Sequence, residues 1–384
     1  MQNFIFYNPV KIYFGKGQIA ALAGVLPKNS RILLTYGYGS IKKNGVYDQV
    51  MQALAGYDVS EFGGIEPNPS YETLMQAVGI VRDKKIDFIL AIGGGSVIDG
   101  TKFISAAAHF KGEPWDILTK QAEFNEVVPF GCVLTLPAAG SEMNCGAVIS
   151  RKSSRDKLVF GSPKIFPRFA ILDPAVTFSL SPRQTANGIV DAFVHVLEQY
   201  LTYPVNAPLQ DRFAEGILLT LIEEAPKVWR KGDDLDARAN IMWCATMALN
   251  DLIGMGVPQD WTTHRLGHEV TACFGLDHGQ SLAVLLPNVL QVRRVQKHEK
   301  LLQYAERIFG IKQGDEDVRI DAAITKTREF FASLDMKLHL RDYAIDETAI
   351  PVLLEQLQRH SLTGLGERGD IDLNESEKIY RASL

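Results

Sequence analysis

The chain has 384 residues, 46% hydrophobic and 22% charged, with a formal net charge of −5 at pH 7, an ordinary globular composition and more than one small core needs. The mild acidity argues against nucleic acid or an anionic membrane as partner, and no apolar run of about 18 residues is present to span a bilayer. The start, MQNFIFYNPVKIYFGKG, lacks a basic stretch followed by an apolar one and reads as no signal peptide. Cys132, Cys145, Cys244 and Cys273 have no CxxC spacing and read as reduced thiols of a cytoplasmic protein.

In the first half, short β-rich runs alternate with helical ones. RILLTYG (31–37) reads as a buried strand, residues 45–55 as a helix, and YDVSEFG (57–63) as a second strand. After Pro67 and Pro69 a helix runs through ETLMQAVGIVRDKK. DFILAIGGG (87–95) is a continuous apolar strand closed by glycines, with a helix beginning near Ser96. PFGCVLTLP and RFAILDP add further strands. Strands alternating with helices predict a parallel sheet covered on both faces.

Near residue 180 the pattern changes. Ser181-Pro182 has the form of a helix start, and the segments beyond it have helical spacing, among them DRFAEGILLTLIEEAPKVW, ARANIMWCATMALNDLIG, HEKLLQYAERIFG and RIDAAITKTREFFASL. The expected organisation is an α/β domain over residues 1–180 and an all-helical domain over 181–384.

Two motifs carry chemistry. Gly93-Gly94-Gly95-Ser96 closes a strand and opens a helix, a turn that lets backbone N–H groups and a helix N-terminus meet a pyrophosphate. It is not the GxGxxG fingerprint, because Ile98 stands where the third glycine belongs. A second small-residue turn, LPAAGSE (136–142), follows another strand. In the helical half, Asp191 and His195 are four residues apart in NGIVDAFVHVLEQY, which puts both on one helix face. His264 and His268 repeat that spacing, and a turn bracketed by Gly275 and Gly279 is expected to bring His278 back toward them. One carboxylate with imidazoles suits divalent zinc or iron; the spacing does not choose between His264 and His268. A phosphate-bearing cofactor beside a metal points to metal-assisted hydride transfer.

FGKG (14–17), GGGSVIDGTK (93–102), LPAAGSE and the Asp191, His195, His264, His278 set together resemble the iron-containing, or group III, alcohol dehydrogenases over essentially the whole chain. TYGYGS, FGGIEPNP and GVPQDW resemble the NADPH-dependent aldehyde reductase and butanol dehydrogenase branch. The resemblance implies a dehydroquinate synthase-like fold, with an α/β nucleotide-binding domain, an all-α metal-binding domain and the active site in the cleft between them. It implies that Asp191, His195, His264 and His278 bind the metal and that His268 lies near the substrate as a proton relay. It places Gly94, Gly95, Ser96, Thr135 and Asn144 around NADP(H), with Asp99 and Lys157 in the same neighbourhood and Asn68 near the adenosine end.

Cofactor choice is read from the second strand, whose following acid binds the ribose 2′-OH where NAD is preferred. Here Gly37-Tyr38-Gly39-Ser40 has no acid, Ser40 can donate a hydrogen bond, and Lys42 and Lys43 follow, which predicts NADPH. The expected activity is reduction of short- and medium-chain aldehydes, or oxidation of the alcohols, by a homodimer with no nucleic-acid or membrane partner. A glycerol dehydrogenase-like or dehydroquinate synthase-like enzyme is the alternative. A lyase acting on a phosphorylated sugar acid needs clustered cations near the metal, and the flanking stretches offer Arg265 and little else.

Overall fold

The computed structural model describes all 384 residues. Eight strands form: β1 (Lys11–Phe14), β2 (Arg31–Tyr36), β3 (Asp58–Phe62), β4 (Phe88–Gly94), β5 (Phe130–Leu136), β6 (Gly146–Arg151), β7 (Asp156–Gly161) and β8 (Phe169–Leu172). Six make a parallel sheet in the order β1-β8-β5-β4-β2-β3. The central strands are apolar on both faces, as a doubly covered parallel sheet requires. Leu33, Ile89, Ala91 and Leu134 enter one core, while Ile32, Leu34, Leu90, Ile92 and Val133 enter the other. Crossover helices α2 (Val46–Ala53), α3 (Tyr71–Asp83) and α4 (Gly95–Ala107) join them, with two single-turn helices, α1 (Leu22–Val25) and α5 (Asp116–Thr119). Ser70 caps α3 by accepting from the Thr73 amide at 3.4 Å.

The remaining helices are α6 (Pro182–Tyr200), α7 (Pro208–Arg230), α8 (Leu235–Ala248), α9 (Thr262–Phe274), α10 (His278–Val292), α11 (His298–Phe309), α12 (Glu316–Ala332), α13 (Ala349–Arg359) and α14 (Leu373–Ala382). Two compact units divide the chain. One holds Tyr7–Ser181 and Gly232–Thr246; the other holds Met1–Phe6, Pro182–Lys231 and Met247–Leu384. The chain therefore changes unit more often than a single boundary at residue 180 provides for. The second unit is helical, α6 lying at its centre with every residue from Gly188 to Tyr200 buried. Fully burying each such apolar side chain stabilises by about 1.5–3 kcal/mol.

Three elements depart from the sequence reading. The antiparallel hairpin β6–β7 was not anticipated. The helix expected to run to Gly254 stops at Ala248, and Asp251 beyond it is left-handed, with φ of 73°. The expected turn from Gly275 to Gly279 is shorter. Gly275 ends α9 in the left-handed conformation, and His278 is already the first residue of α10.

Candidate metal centre and nucleotide turns

One face of α6 presents Asp191, His195 and, one turn further, Glu198, all buried. A ligand atom from each of Asp191, His195 and His264 lies within 4.8 Å of the others. From Asp191 Oδ1 the distances are 3.2 Å to His195 Nδ1, 3.6 Å to His264 Nε2 and 3.7 Å to His278 Nε2. Donors bound at about 2.0–2.2 Å around a tetrahedral cation stand about 3.3–3.6 Å apart, so the His264 and His278 spacings suit one ion; His195 Nδ1 donates to the Asp191 carbonyl at 2.8 Å, which leaves its Nε2 as the ligating nitrogen. Asp191 Oδ1 and His264 Nε2 are buried without a hydrogen-bond partner, an arrangement that costs free energy unless a cation is shared.

The electrostatics agree at Asp191 and His195, while His264 must give up a proton to bind a cation. Burial alone would raise the Asp191 carboxyl, but His195, His278 and His264 hold it well below the usual carboxylate range. Burial lowers His195 to about 4, so its imidazole is neutral and retains a lone pair. At His264 burial opposes charging, yet Glu198 and Asp191 outweigh it and raise the ring to about 9.

His278 reaches the group because α10 is pinned to α6. Asp277 accepts from Asn187 Nδ2 at 2.7 Å and pairs with Arg183 at 3.1 Å. His268, one turn along α9 from His264, has its ring centroid 6.3 Å from that of His264 and 5.3 Å from that of His278. Trp261 packs edge-on against His264 and His195, at 5.4 and 6.1 Å. Glu198, which the sequence reading missed, contacts His264 Nδ1. Its signal was present as the third same-face position after Asp191 and His195.

The nucleotide candidates gather at the carboxyl ends of adjacent strands β5, β4 and β2. From β2 the chain goes outward to β3, returns to β4 on the other side of β2 and continues to β5. The direction thus reverses between β2 and β4, where open α/β sheets bind ligands. Gly37, Gly39 and Ser40 follow β2; Gly94, Gly95 and Ser96 close β4 and open α4; Thr135 is the last residue but one of β5. A Cβ on Gly94 would lie 2.9 Å from Leu136 Cβ, so only glycine lets the two small-residue turns meet there. The Ser96 hydroxyl accepts from the Asn68 amide at 3.3 Å, and Asn68 Oδ1 accepts from Lys157 Nζ at 2.9 Å.

Asp99 and Asn144 are joined through Lys102, a residue not singled out from sequence. The buried Lys102 ammonium donates to Asn144 Oδ1 at 2.8 Å, Ser141 Oγ at 2.9 Å and the Gly146 carbonyl at 2.7 Å. Ser141 in turn donates to Asp99 at 2.5 Å. Burial lowers the lysine and raises the aspartate. Lys42, one of the two lysines that follow the glycine turn, is paired with Glu61 at 3.2 Å and lies over the Tyr36 and Tyr47 rings. Glu61 is correspondingly engaged by Tyr36 and Tyr47.

A family model described as iron-containing alcohol dehydrogenase matches residues 9–174, and one for the C-terminal part of the Fe-containing alcohol dehydrogenase family matches 185–380. The NADPH-dependent aldehyde reductase YqhD of Escherichia coli is 58% identical over 386 residues, covering 100% of both chains. A probable NADH-dependent butanol dehydrogenase of Bacillus subtilis is 40% identical over 390 residues, again covering 100% of both. A crystal structure of E. coli YqhD matches with a TM-score of 0.99 at 57% identity, over 100% of this chain and 99% of that one. The NADH-dependent butanol dehydrogenase A of Thermotoga maritima matches with a TM-score of 0.95 at 31% identity, with coverage of 100% and 99%.

Proposed function

The chain belongs to the iron-containing alcohol dehydrogenase family, and from that premise we propose that it is a metal-dependent, NADPH-linked aldehyde reductase acting on short- to medium-chain aldehydes. The observation that carries the reading is the buried Asp191, His195 and His264 group with its orphaned donors. When bound, NADPH supplies the hydride and the divalent cation, iron or zinc, polarises the substrate oxygen. Asp191, His195, His264 and His278 hold the cation. Gly94, Gly95 and Ser96 present backbone N–H groups at the start of α4 to the pyrophosphate, and Asn68, Asp99, Thr135, Asn144 and Lys157 complete the cofactor's surroundings. Trp261 shields two of the imidazoles from water. His268 returns a proton to the oxygen of the product.

His268→Ala is expected to keep its metal and lose about ten- to a hundredfold in turnover, within the usual range for general acid–base groups. Metal analysis beside steady-state rates checks this; metal loss in His268→Ala with retention in His264→Ala would exchange their roles.

The segment before α9 offers buried Ile253, half-buried Leu252, Met255 and Val257, and Trp261 rather than clustered cations. Such a lining suits neutral aldehydes, and each methylene changes discrimination by only about 1–3 kcal/mol. The test is NADPH oxidation across neutral, phosphorylated and carboxylated carbonyls. Broad turnover of butanal-like compounds supports the reading, and strong selectivity for one anionic substrate overturns it.

For the cofactor, kcat/KM is expected to favour NADPH over NADH. In Gly39→Asp an added carboxylate repels a 2′-phosphate by about 1–4 kcal/mol at about 4 Å, enough to move the ratio toward NADH by about fivefold or more. Gly39 has φ of 92°, so any side chain there is strained, and Gly39→Ala is the control that carries the strain without the charge. An NADH preference in the unaltered enzyme would refute this assignment. The reading extends to a homodimer, supported by the exposed apolar side chains of Phe4, Ile5, Phe6 and Tyr7; light scattering of the purified protein decides the oligomeric state.

A further inference from the structure

We infer that Glu198 positions His264 for the metal, fixing both the orientation of its ring and the nitrogen that carries the proton. The inference rests on His264 being a ligand. Glu198 is 3% exposed, and both its oxygens are committed. Oε2 contacts His264 Nδ1, while Oε1 accepts the Thr263 amide at 2.5 Å and the His264 amide at 3.4 Å. An ionised carboxylate only accepts, so Nδ1 holds a proton and Nε2 is the nitrogen that would give its lone pair to a metal once its own proton is displaced. That nitrogen is the one standing 3.6 Å from Asp191 Oδ1 with no hydrogen-bond partner.

The carboxylate is itself held in a frame. The Glu198 carbonyl accepts from the Asp260 amide at 2.7 Å. Asp260 accepts from the Thr262 amide at 2.9 Å at the start of α9, and pairs with the buried Lys297 at 2.8 Å. Lys297 also pairs with Glu367 at 3.0 Å and donates to the Leu201 carbonyl at 2.6 Å. Glu198 therefore belongs to a rigid, ion-paired base beneath α9, where a partner behind a ligating imidazole raises its basicity and fixes its aim.

The test titrates metal-free protein with Zn2+ and with Co2+, comparing the unaltered chain with Glu198→Gln and Glu198→Asp. The amide of Glu198→Gln keeps an oxygen for the Thr263 N–H, so a purely helix-capping role survives. Its NH2 then faces Nδ1 and drives the ring proton onto Nε2, against the metal. Expected is a loss of about 10–100-fold in Zn2+ affinity, an altered cobalt absorption spectrum, and partial recovery in Glu198→Asp. Unchanged affinity and an unchanged cobalt spectrum in folded Glu198→Gln overturn the inference. If the variant does not fold, histidine 15N NMR of the unaltered zinc-bound protein decides: a proton on Nδ1 of His264 supports the role, and a proton on Nε2 refutes it. Absence of zinc binding by the unaltered chain would instead defeat the metal assignment itself, so the two failures are distinguishable.

Discussion

His195→Ala is expected to empty the metal centre and to lower aldehyde reduction by about a thousandfold, with the fold retained. The loss follows from removing a Lewis acid worth several kcal/mol, at about 1.36 kcal/mol per decade of rate. His195 lies within the 4.8 Å ligand group, and no neighbouring side chain on α6 can replace it, since the adjacent Val194 and Val196 are apolar and buried. His278→Ala should behave similarly. Elemental analysis reads metal content directly. Thermal unfolding adds a check, because a ligand present at about a thousand times its Kd stabilises by about 4.1 kcal/mol. Chelator should lower the melting temperature of the unaltered protein and leave that of His195→Ala unmoved. Full metal occupancy in both histidine variants would remove these residues from the ligand set.

Gly279→Ala is expected to be the next most damaging change, although Gly279 is not itself a ligand. A Cβ at 279 would stand 2.6 Å from the Asn187 carbonyl oxygen and 2.7 Å from Asn187 Cα. These are backbone atoms of α6 and cannot swing aside. Overpacking of this kind costs about 1–3 kcal/mol. Relief requires the first turn of α10 to retreat from α6, taking His278 away from Asp191, so metal affinity should fall at least about tenfold. Gly267→Ala is the comparison. Its Cβ would meet the Ser281 hydroxyl at 3.0 Å and the Leu282 side chain at 3.3 Å, groups that can adjust, and it should bind metal nearly normally. Equal affinities in the two variants would show that the contact with Asn187 does not place His278.

Much of this architecture was legible because physical signals coincided. The continuous apolar run of β4 followed by glycines marked both a buried parallel strand and the turn that meets β5. The Asp191–His195 spacing placed two side chains on one face of α6, which the structure bears out. What escaped depended on partners far away in sequence. The roles of Lys102 and Glu61 are set by Asn144, Tyr36 and Tyr47 rather than by neighbours along the chain. Gly279 looked like a turn residue because glycine marks both turns and close approaches, and only the proximity of Asn187 separates the two. The β6–β7 hairpin was hidden by its polar connection, and the early end of α8 by Leu249, Leu252 and Ile253, which continue the helical spacing past it.

Asp191, His264 and His278 sit on three helices, α6, α9 and α10, the first far along the chain from the other two. A shared ion is therefore a cross-link as well as a reagent, closing loops whose entropy the unfolded chain would otherwise keep. Without it the bare Asp191 oxygen and His264 nitrogen make this corner the natural place for local opening. Metal removal is then expected to hasten proteolysis of the protein as well as to stop its turnover.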